Sequence, residues 1–239
     1  MDNKESKPKK FRNFYGRLKG KGLRALQQKL LNDQLEKLSI PAVKYEINPD
    51  RKLIELSDLF KNVTSFSLEI GFGGGEHLVY QAERNPNIGF IGCEPYINGV
   101  AMLAGKLSKL ELTNVRIHPG DVRDLFDVLP DDSIDSVFLL YPDPWPKKRH
   151  HRRRFVTSEY LIDLQRVMKT GALLKLATDI PDYVRQSLQE VCKHHFSWTA
   201  TDAQDWRECW SDWMPTRYER KALREGRRPY YLTFEKRES

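Results

Sequence analysis

The spacing of apolar residues divides the chain into an N-terminal helix and a later alternation of strands and helices. Leucines recur at helical intervals from residue 23 to residue 38, and Pro41 follows the end of that pattern. Beyond residue 50, short apolar runs alternate with stretches of helical period. The predicted strands are 66–71, 89–93, 115–118, 136–141, 173–178, 196–200 and 230–235. The predicted helices are 76–84, 97–110, 160–168 with Gly171 as its C-terminal stop, and 183–194.

This order of elements predicts the fold class. Strands that alternate with helices form βαβ units, which build a doubly wound, Rossmann-like α/β sheet. We expect that sheet to be mostly parallel, with an antiparallel C-terminal strand. The predicted organisation is a mobile basic arm over residues 1–22, a helix and linker over 23–49, and a domain over 50–239.

Positive charge is concentrated in two segments. The first 24 residues contain nine Lys and Arg against two acids, which equals the excess of +7 for the whole chain. A second block, residues 147–154, carries six fixed positive charges in eight positions. Such separation of charge is typical of proteins that bind a polyanion, although a solvated tail and loop would show the same composition.

The lengths of the apolar runs and the spacing of the cysteines exclude further classes of protein. The longest unbroken apolar run, residues 137–141, is far shorter than the roughly 20 residues that cross a bilayer, and the first residues lack an apolar signal region. The three cysteines are widely spaced, and no His or Cys pair has metal-ligand spacing. We therefore expect a cytoplasmic protein with reduced thiols and no metal or membrane partner.

The first predicted strand runs into a glycine loop, with Glu69 followed by glycines at every second position from Gly71 to Gly75. A dinucleotide fingerprint would need glycine at position 76, where this chain has Glu76. The pattern instead favours a nucleoside ligand without a pyrophosphate, of which S-adenosylmethionine is an example. A tight turn with no ligand is the alternative.

Acidic residues also follow later strands. Glu94 ends the second strand and Asp121 follows the third, while Asp179 ends the fifth. Because ligands of doubly wound sheets bind beyond the carboxyl ends of the strands, we expect these acids to border one crevice. Glu94 is placed to accept hydrogen bonds from ribose hydroxyls, and Asp121 to approach an adenine amine.

The fourth strand leads into the most specific segment. Prolines at 142, 144 and 146 stiffen the chain around Asp143 and Trp145, and the basic block follows at once. A crevice with a polycationic rim predicts a nucleic-acid substrate.

The two segments together, Glu-Ile-Gly-Phe-Gly-Gly-Gly and Pro-Asp-Pro-Trp-Pro-Lys followed by Arg-His-His-Arg-Arg-Arg, resemble the bacterial tRNA (guanine-N7-)-methyltransferase family. The resemblance covers about residues 50–239 and implies a class I methyltransferase that transfers a methyl group from S-adenosylmethionine to N7 of the variable-loop guanosine at position 46 of tRNA.

The same resemblance implies a set of site residues. The cofactor would be bound or bordered by Glu69, Gly71, Gly73, Glu94, Asp121 and Asp143, with Asp143 also catalytic. The substrate would be contacted by Lys147, Asp179, Thr216, Arg217, Tyr218 and Glu219. RNA would be contacted by Arg149, His150, His151, Arg152, Arg153 and Arg154.

Guanine N7 has a free lone pair, so we expect Asp143 to orient the base and stabilise developing positive charge. Two alternatives stay open. Methyltransferases that act on exocyclic amines use a second proline in the corresponding loop, which Asp143-Pro144-Trp145 lacks. A nonenzymatic RNA-binding module is the second alternative, but it would not need the four acids Glu69, Glu94, Asp121 and Asp143. The chain is expected to act as a monomer or homodimer.

Overall fold

A seven-stranded sheet forms the centre of the protein in the computed structural model, which describes residues 12–238. Its strands lie in the order β3-β2-β1-β4-β5-β7-β6. Strands β1 to β5 run parallel to one another, while β7 runs antiparallel to both β5 and β6. The strands are β1 Ser65–Ile70, β2 Ile88–Cys93, β3 Val115–His118, β4 Ile134–Leu140, β5 Met168–Thr178, β6 Phe196–Trp198 and β7 Tyr230–Lys236. The predicted class of sheet is confirmed.

Eight α-helices accompany these strands in the described part of the chain. They are α1 Ala25–Leu38, α2 Glu76–Arg84, α3 Ile97–Leu110, α4 Val122–Phe126, α5 Ser158–Val167, α6 Pro181–Val191, α7 Gln204–Arg207 and α8 Arg217–Arg224. A 3₁₀ turn over Lys148–Arg153 carries most of the basic block.

The core is built on rows of apolar side chains that cross the sheet. One row joins five strands in register and consists of Ile91, Leu68, Val137, Leu174 and Phe234, each at most 1% exposed. Each such side chain stabilises the fold by about 1.5–3 kcal/mol relative to an exposed one. This row makes the central strands a rigid base for the loops at their carboxyl ends.

The structure corrects one predicted helix end. Gly171 does not stop a helix, because α5 ends at Val167 and β5 begins at the next residue. The pairing of β4 with β5 changes register between Ile134 and Ser136, so that residues 169–172 bulge from the ladder. Gly171 lies in that bulge with a φ of 80°.

The described part of the N-terminal arm, residues 12–22, is here called the N-terminal segment. It contacts the domain, whereas the sequence predicts only a mobile arm. The Arg12 guanidinium lies 3.0 Å from Asp124 and 2.8 Å from Asp127, at α4. Farther along, the Leu18 carbonyl accepts from Ile97 N–H at 3.1 Å, and the side chain of Asn98 bonds the main chain of Gly20 and Lys21. The segment thus bridges α4 and the N-terminal end of α3. Residues 1–11 of the predicted arm lie outside the described residues.

No helix within residues 12–238 has the length and apolar character to cross a membrane. The same residues contain no group of three or more His, Cys, Asp or Glu side chains arranged to hold a metal ion. All three cysteines are free thiols, with Cys93 buried and the other two exposed.

Candidate active site

A cavity of about 640 Å³ opens at the carboxyl ends of β1, β2, β3 and β4. The position is the one expected for a ligand of a doubly wound sheet. Eight of the predicted site residues line it, namely Gly71, Gly73, Glu94, Asp121, Asp143, Arg153, Arg217 and Tyr218. The structure therefore brings together residues that are up to 147 positions apart in the sequence.

Glu94 holds the glycine loop in place. Its side chain accepts a hydrogen bond from Gly73 N–H at 2.7 Å on one oxygen and from Tyr96 N–H at 2.9 Å on the other. Gly73 has a φ of 55°, a left-handed conformation that glycine adopts without steric cost. Burial raises the pKa of Glu94, whereas the two amide donors and the nearby Arg217 oppose that rise.

The hydrogen bonds of Glu94 test whether a nucleoside fits this cavity. Each carboxylate oxygen has two lone pairs, and the main-chain amides use one on each oxygen. The second pair on each oxygen can accept from a hydroxyl, so Glu94 suits a ribose diol. Gly71 adds room at the loop, because a Cβ built there would meet no atom within 4 Å. The donor set and the space agree with a ligand of the nucleoside class.

Helix α3 packs directly against the glycine loop through Gly99. A Cβ built on Gly99 would lie 2.2 Å from the carbonyl oxygen of Gly73, which is backbone and cannot turn aside. The close approach of α3 thus depends on glycine at position 99 and supports the wall of the cavity.

Asp121 is already paired on the cavity wall. It caps α4 by accepting from Arg123 N–H at 3.0 Å, and both its oxygens contact the Arg123 guanidinium. That guanidinium is buried, also contacts Glu159, and donates to the carbonyl of Asn13 at 2.9 Å. Arg123 therefore connects the expected adenine-binding acid to the N-terminal segment.

Glu69 lies behind the cavity wall. The residue is 3% exposed and its Oε2 is 2.7 Å from Nδ1 of His77, which is itself buried between the rings of Phe138 and Trp213. Glu69 does not line the cavity in this structure, so its contact with a cofactor stays a prediction.

Asp143 lies at the rim, on the proline-rich loop of residues 141–147, here called the Asp143 loop. Neighbouring atoms remove part of the water around its carboxyl group, and this burial raises the pKa of Asp143. The charge of Asp143 in turn contributes to the raised pKa of Glu94, since both acids face the same cavity. The side chain of Asp143 makes no hydrogen bond or ion pair with another described residue, so its oxygens can meet a ligand.

An aromatic and cationic stack closes one side of the cavity. The Arg153 guanidinium carbon lies 4.7 Å from the ring centre of Tyr15 and 5.0 Å from that of Trp145. All three residues line the cavity. Arg153 therefore links the basic block to both the N-terminal segment and the Asp143 loop through cation–π contacts.

The rest of the basic block divides into surface and interior. Arg149 and Arg152 are exposed, and His150 and His151 are half-buried. Arg154 corrects the expectation from sequence, because it is only 1% exposed and its guanidinium binds protein groups rather than lying on the surface.

The other predicted substrate residues also divide. Arg217 and Tyr218 reach the cavity, and Lys147 is exposed at the end of the Asp143 loop. Asp179 instead pairs with Arg227 at 2.9 Å. Thr216 caps α8 by accepting from Glu219 N–H.

Glu219 is buried below that cap. Its carboxylate accepts from Trp213 Nε1–H and from the Tyr231 hydroxyl, both at 2.7 Å. These contacts hold the N-terminal end of α8, which carries Arg217 and Tyr218 to the glycine loop. Substrate contact by Lys147, Asp179, Thr216 or Glu219 stays a prediction.

Several functional residues escaped the analysis of the sequence. They are Phe14, Tyr15, Tyr96, Arg123 and Tyr160. The signal available for two of them was aromatic character inside an otherwise basic arm. Arg123 had a weaker signal, its place two residues after a helix-capping aspartate.

Known proteins agree with this architecture. The structure matches that of the 16S rRNA methyltransferase KamB with a TM-score of 0.58 at 16% sequence identity, over 77% of this chain and 93% of that one. A family model described as "Putative methyltransferase" matches residues 64–232. The fold and the nucleoside-type cavity thus define a methyltransferase of class I.

Two curated relatives narrow the class. The tRNA (guanine-N(7)-)-methyltransferase of Roseobacter denitrificans is 61% identical over 97% of this chain and 98% of its own length. The protein of the same name from Ruegeria pomeroyi is 61% identical over 95% of both chains. This chain belongs to the tRNA (guanine-N(7)-)-methyltransferase family.

Proposed function

We propose that the protein transfers a methyl group from S-adenosylmethionine to N7 of the variable-loop guanosine at position 46 of tRNA. The observation that carries the proposal is the convergence of Glu94, Asp121 and Asp143 on one cavity beside an exposed basic block. Family membership supports the reaction, and the geometry supports the assignment of residues.

Different parts of the cavity suit different parts of the cofactor. Glu94 would bind the ribose hydroxyls, and the wall that contains Asp121 and Tyr160 would border the adenine. Asp121 is neutralised by Arg123, so it offers a hydrogen-bond acceptor rather than a free negative charge at that wall. S-adenosylmethionine supplies an electrophilic methyl group on a positively charged sulfur.

Asp143 would act on the base. Guanine N7 attacks without losing a proton, so catalysis depends on alignment and on charge. Methyl transfer moves positive charge onto the purine ring, and a carboxylate held beside the ring stabilises that charge. Asp143 is exposed at the rim, and the neighbouring atoms that raise its pKa remove only part of its water. A base that covers the carboxylate would remove more water and strengthen this electrostatic stabilisation.

RNA would bind across the rim. Lys148, Arg149 and Arg152 are exposed next to the Asp143 loop and can contact backbone phosphates, which position a nucleic acid without reading its sequence. Trp145 lies at the same rim and offers a ring on which an extruded base can stack.

The test is methyl transfer to two unmodified tRNA transcripts, one natural and one with adenosine in place of the variable-loop guanosine. We expect labelled 7-methylguanosine in the first transcript only. Label on another base or another atom would contradict the proposal. Absence of label in both, with cofactor bound, would contradict it as well.

A further inference from the structure

Arg154 is the one arginine of the basic block that the fold encloses. It follows the 3₁₀ turn that presents Arg149 and Arg152 to solvent, yet it is 1% exposed. Its Nε–H donates to the carbonyl of Pro144 at 2.8 Å and Nη1 donates to Gln186 Oε1 at 2.7 Å. Nη2 lies 2.9 Å from Asp182 Oδ2, and the guanidinium carbon lies 5.2 Å from the centre of the Tyr183 ring.

The Asp143 loop has few other polar supports. Its prolines lack N–H groups, and hydrogen bonds flank the loop from Tyr141 N–H to Ala177 and from His150 N–H to the Lys147 carbonyl. Between these two points, the main chain makes one hydrogen bond with a described residue, which is the bond that Pro144 accepts from Arg154.

The loop is also strained where Arg154 holds it. Trp145, the residue after Pro144, has a φ of 40°, in the left-handed region that non-glycine residues rarely adopt. Such a conformation persists only where the surroundings enforce it. Pro144 lies between Asp143 and Trp145, so a contact to its carbonyl acts on both.

We propose that Arg154 is a positioning residue, which fixes the Asp143 loop against α6 and so aligns Asp143 with the base, while its exposed neighbours contact RNA. This inference rests on the proposed function, because Asp143 must lie at the reacting end of the substrate. The block thus combines two tasks, since the turn that meets RNA continues directly into the residue that holds the catalytic loop.

An RNA phosphate is a poor alternative partner for this guanidinium. A cleft of about 410 Å³ borders Arg154, but Asp182 and Glu190 also line it. The Arg154 guanidinium lowers the pKa of Asp182, which keeps that carboxylate negative. A phosphate would have to displace a carboxylate that is already bound.

The test compares lysine at two positions. Arg154→Lys keeps the charge but cannot form the same fork of three contacts, whereas Arg84→Lys makes the same exchange at an exposed position on α2, outside the cavity and the basic block. We expect Arg154→Lys to lower kcat by about 10- to 100-fold, as for a misplaced reacting group. The KM for tRNA, the salt dependence of binding and the cofactor affinity should stay near wild type. Arg84→Lys should keep kcat and KM.

A spectroscopic readout separates positioning from general stability. With 5-fluorotryptophan incorporated, the resonance of Trp145, assigned through Trp145→Phe, should shift or broaden in Arg154→Lys. The resonances of the other four tryptophans should stay unchanged. If the lysine variant does not fold, Gln186→Met removes the Nη1 acceptor, together with the hydrogen bond that Gln186 donates to the Val156 carbonyl, and should move kcat and the Trp145 resonance in the same direction.

Two results would overturn the inference. One is an Arg154→Lys enzyme with full kcat, and the other is one whose loss lies in KM and salt dependence. Failure of the proposed function is distinguishable, because the wild-type enzyme would then form no 7-methylguanosine while the Trp145 resonance would still report on the Asp143 loop.

Discussion

Asp143 differs from the other acids of the cavity in having no protein partner among the described residues. Glu94 accepts hydrogen bonds from two main-chain amides, and Asp121 is paired with Arg123. Both carboxylates therefore hold parts of the fold in place before any ligand binds. Only Asp143 keeps all the lone pairs of its carboxylate for a ligand. This contrast supports the proposal that Asp143 is the acid that acts on substrate.

The variant Asp143→Asn keeps the shape of the side chain and removes its charge. We expect kcat to fall by about 100-fold or more, the scale seen when one electrostatic contact to a transition state is lost. Cofactor affinity should change little, because the hydrogen bonds of Glu94 remain. Single-turnover methylation together with calorimetric cofactor titration measures both quantities. An asparagine variant with wild-type turnover would remove Asp143 from the mechanism.

The raised pKa of Asp143 predicts the direction of a pH effect. A carboxyl group with a raised pKa takes up its proton at a higher pH than an ordinary aspartate, and only the ionised form stabilises positive charge. Activity should therefore be full above that pKa and decline as the pH falls through it. Glu94, whose pKa is also raised, would add to the decline.

The kcat profile of the wild-type enzyme, measured with saturating tRNA, should show this acidic limb. The residual activity of Asp143→Asn should lose the part of the limb that belongs to Asp143. A limb of unchanged position and steepness in the asparagine variant would assign it to another group.

Single residues were predictable where their position in an element decides their role. Glu94 and Asp121 follow strands, and the rule that ligands bind at strand ends placed them at the cavity without further information. Arg154 was not predictable in this way, because a run of arginines does not show which of them the fold encloses.

At the scale of elements, Gly99 and Gly105 of helix α3 offer a matched pair of substitutions. Gly99→Ala would place a methyl group against the Gly73 carbonyl, so we expect a loss of about 1–3 kcal/mol in the free energy of unfolding. It should also weaken cofactor binding, since α3 and the glycine loop must separate. Gly105→Ala meets only Leu30 Cδ1, at 3.7 Å, and should stabilise the helix by about 0.5–1 kcal/mol.

Urea denaturation and cofactor titration of both variants provide the measurement, and each variant is the control for the other. Equal effects of the two substitutions would show that the contact between Gly99 and Gly73 has no particular influence on stability or cofactor binding.

The N-terminal segment is expected to slow the release of cofactor. Arg12→Ala removes the contacts to Asp124 and Asp127 that hold it at α4. We expect cofactor to dissociate about 3- to 10-fold faster, because charge-assisted hydrogen bonds of this kind contribute about 1 kcal/mol or more. Lys29→Ala, on the exposed face of α1, removes the same charge without touching the cavity. Stopped-flow dissociation rates that are equal in the two variants would contradict this expectation.

The elements themselves show where pattern is sufficient and where it is not. Periodicity located all seven strands, because buried strands must be apolar. It missed α4 and α7, which have only five and four residues. It also missed α8, whose eight residues are mostly charged and offer few apolar positions to mark a period. It also misplaced the function of Gly171, because a bulge and a helix end need the same residue type. The contacts of the N-terminal segment depend on partners about 80 to 115 residues away, which local pattern does not encode.

At the scale of the whole molecule, charge should govern tRNA affinity. Replacing Lys148, Arg149 and Arg152 with glutamine should reduce the slope of log affinity against log salt by about 2 to 3, since each phosphate contact contributes about 0.7–0.9. A control triple variant at Lys29, Lys37 and Lys109 removes the same charge from α1 and from the C-terminal end of α3. Filter-binding titrations over a range of salt concentrations provide the slopes, and equal slopes for the two triple variants would refute a localised RNA surface.

Arg153 belongs to the wall of the cavity and to the basic block at once, and this has a kinetic consequence. An RNA laid over the block would cover the same rim through which spent cofactor would leave. We therefore expect the RNA to depart before the cofactor is replaced, so that the enzyme delivers one methyl group in each encounter. A substrate with a single target base needs only one methyl transfer, so its departure after each transfer loses no further methylation.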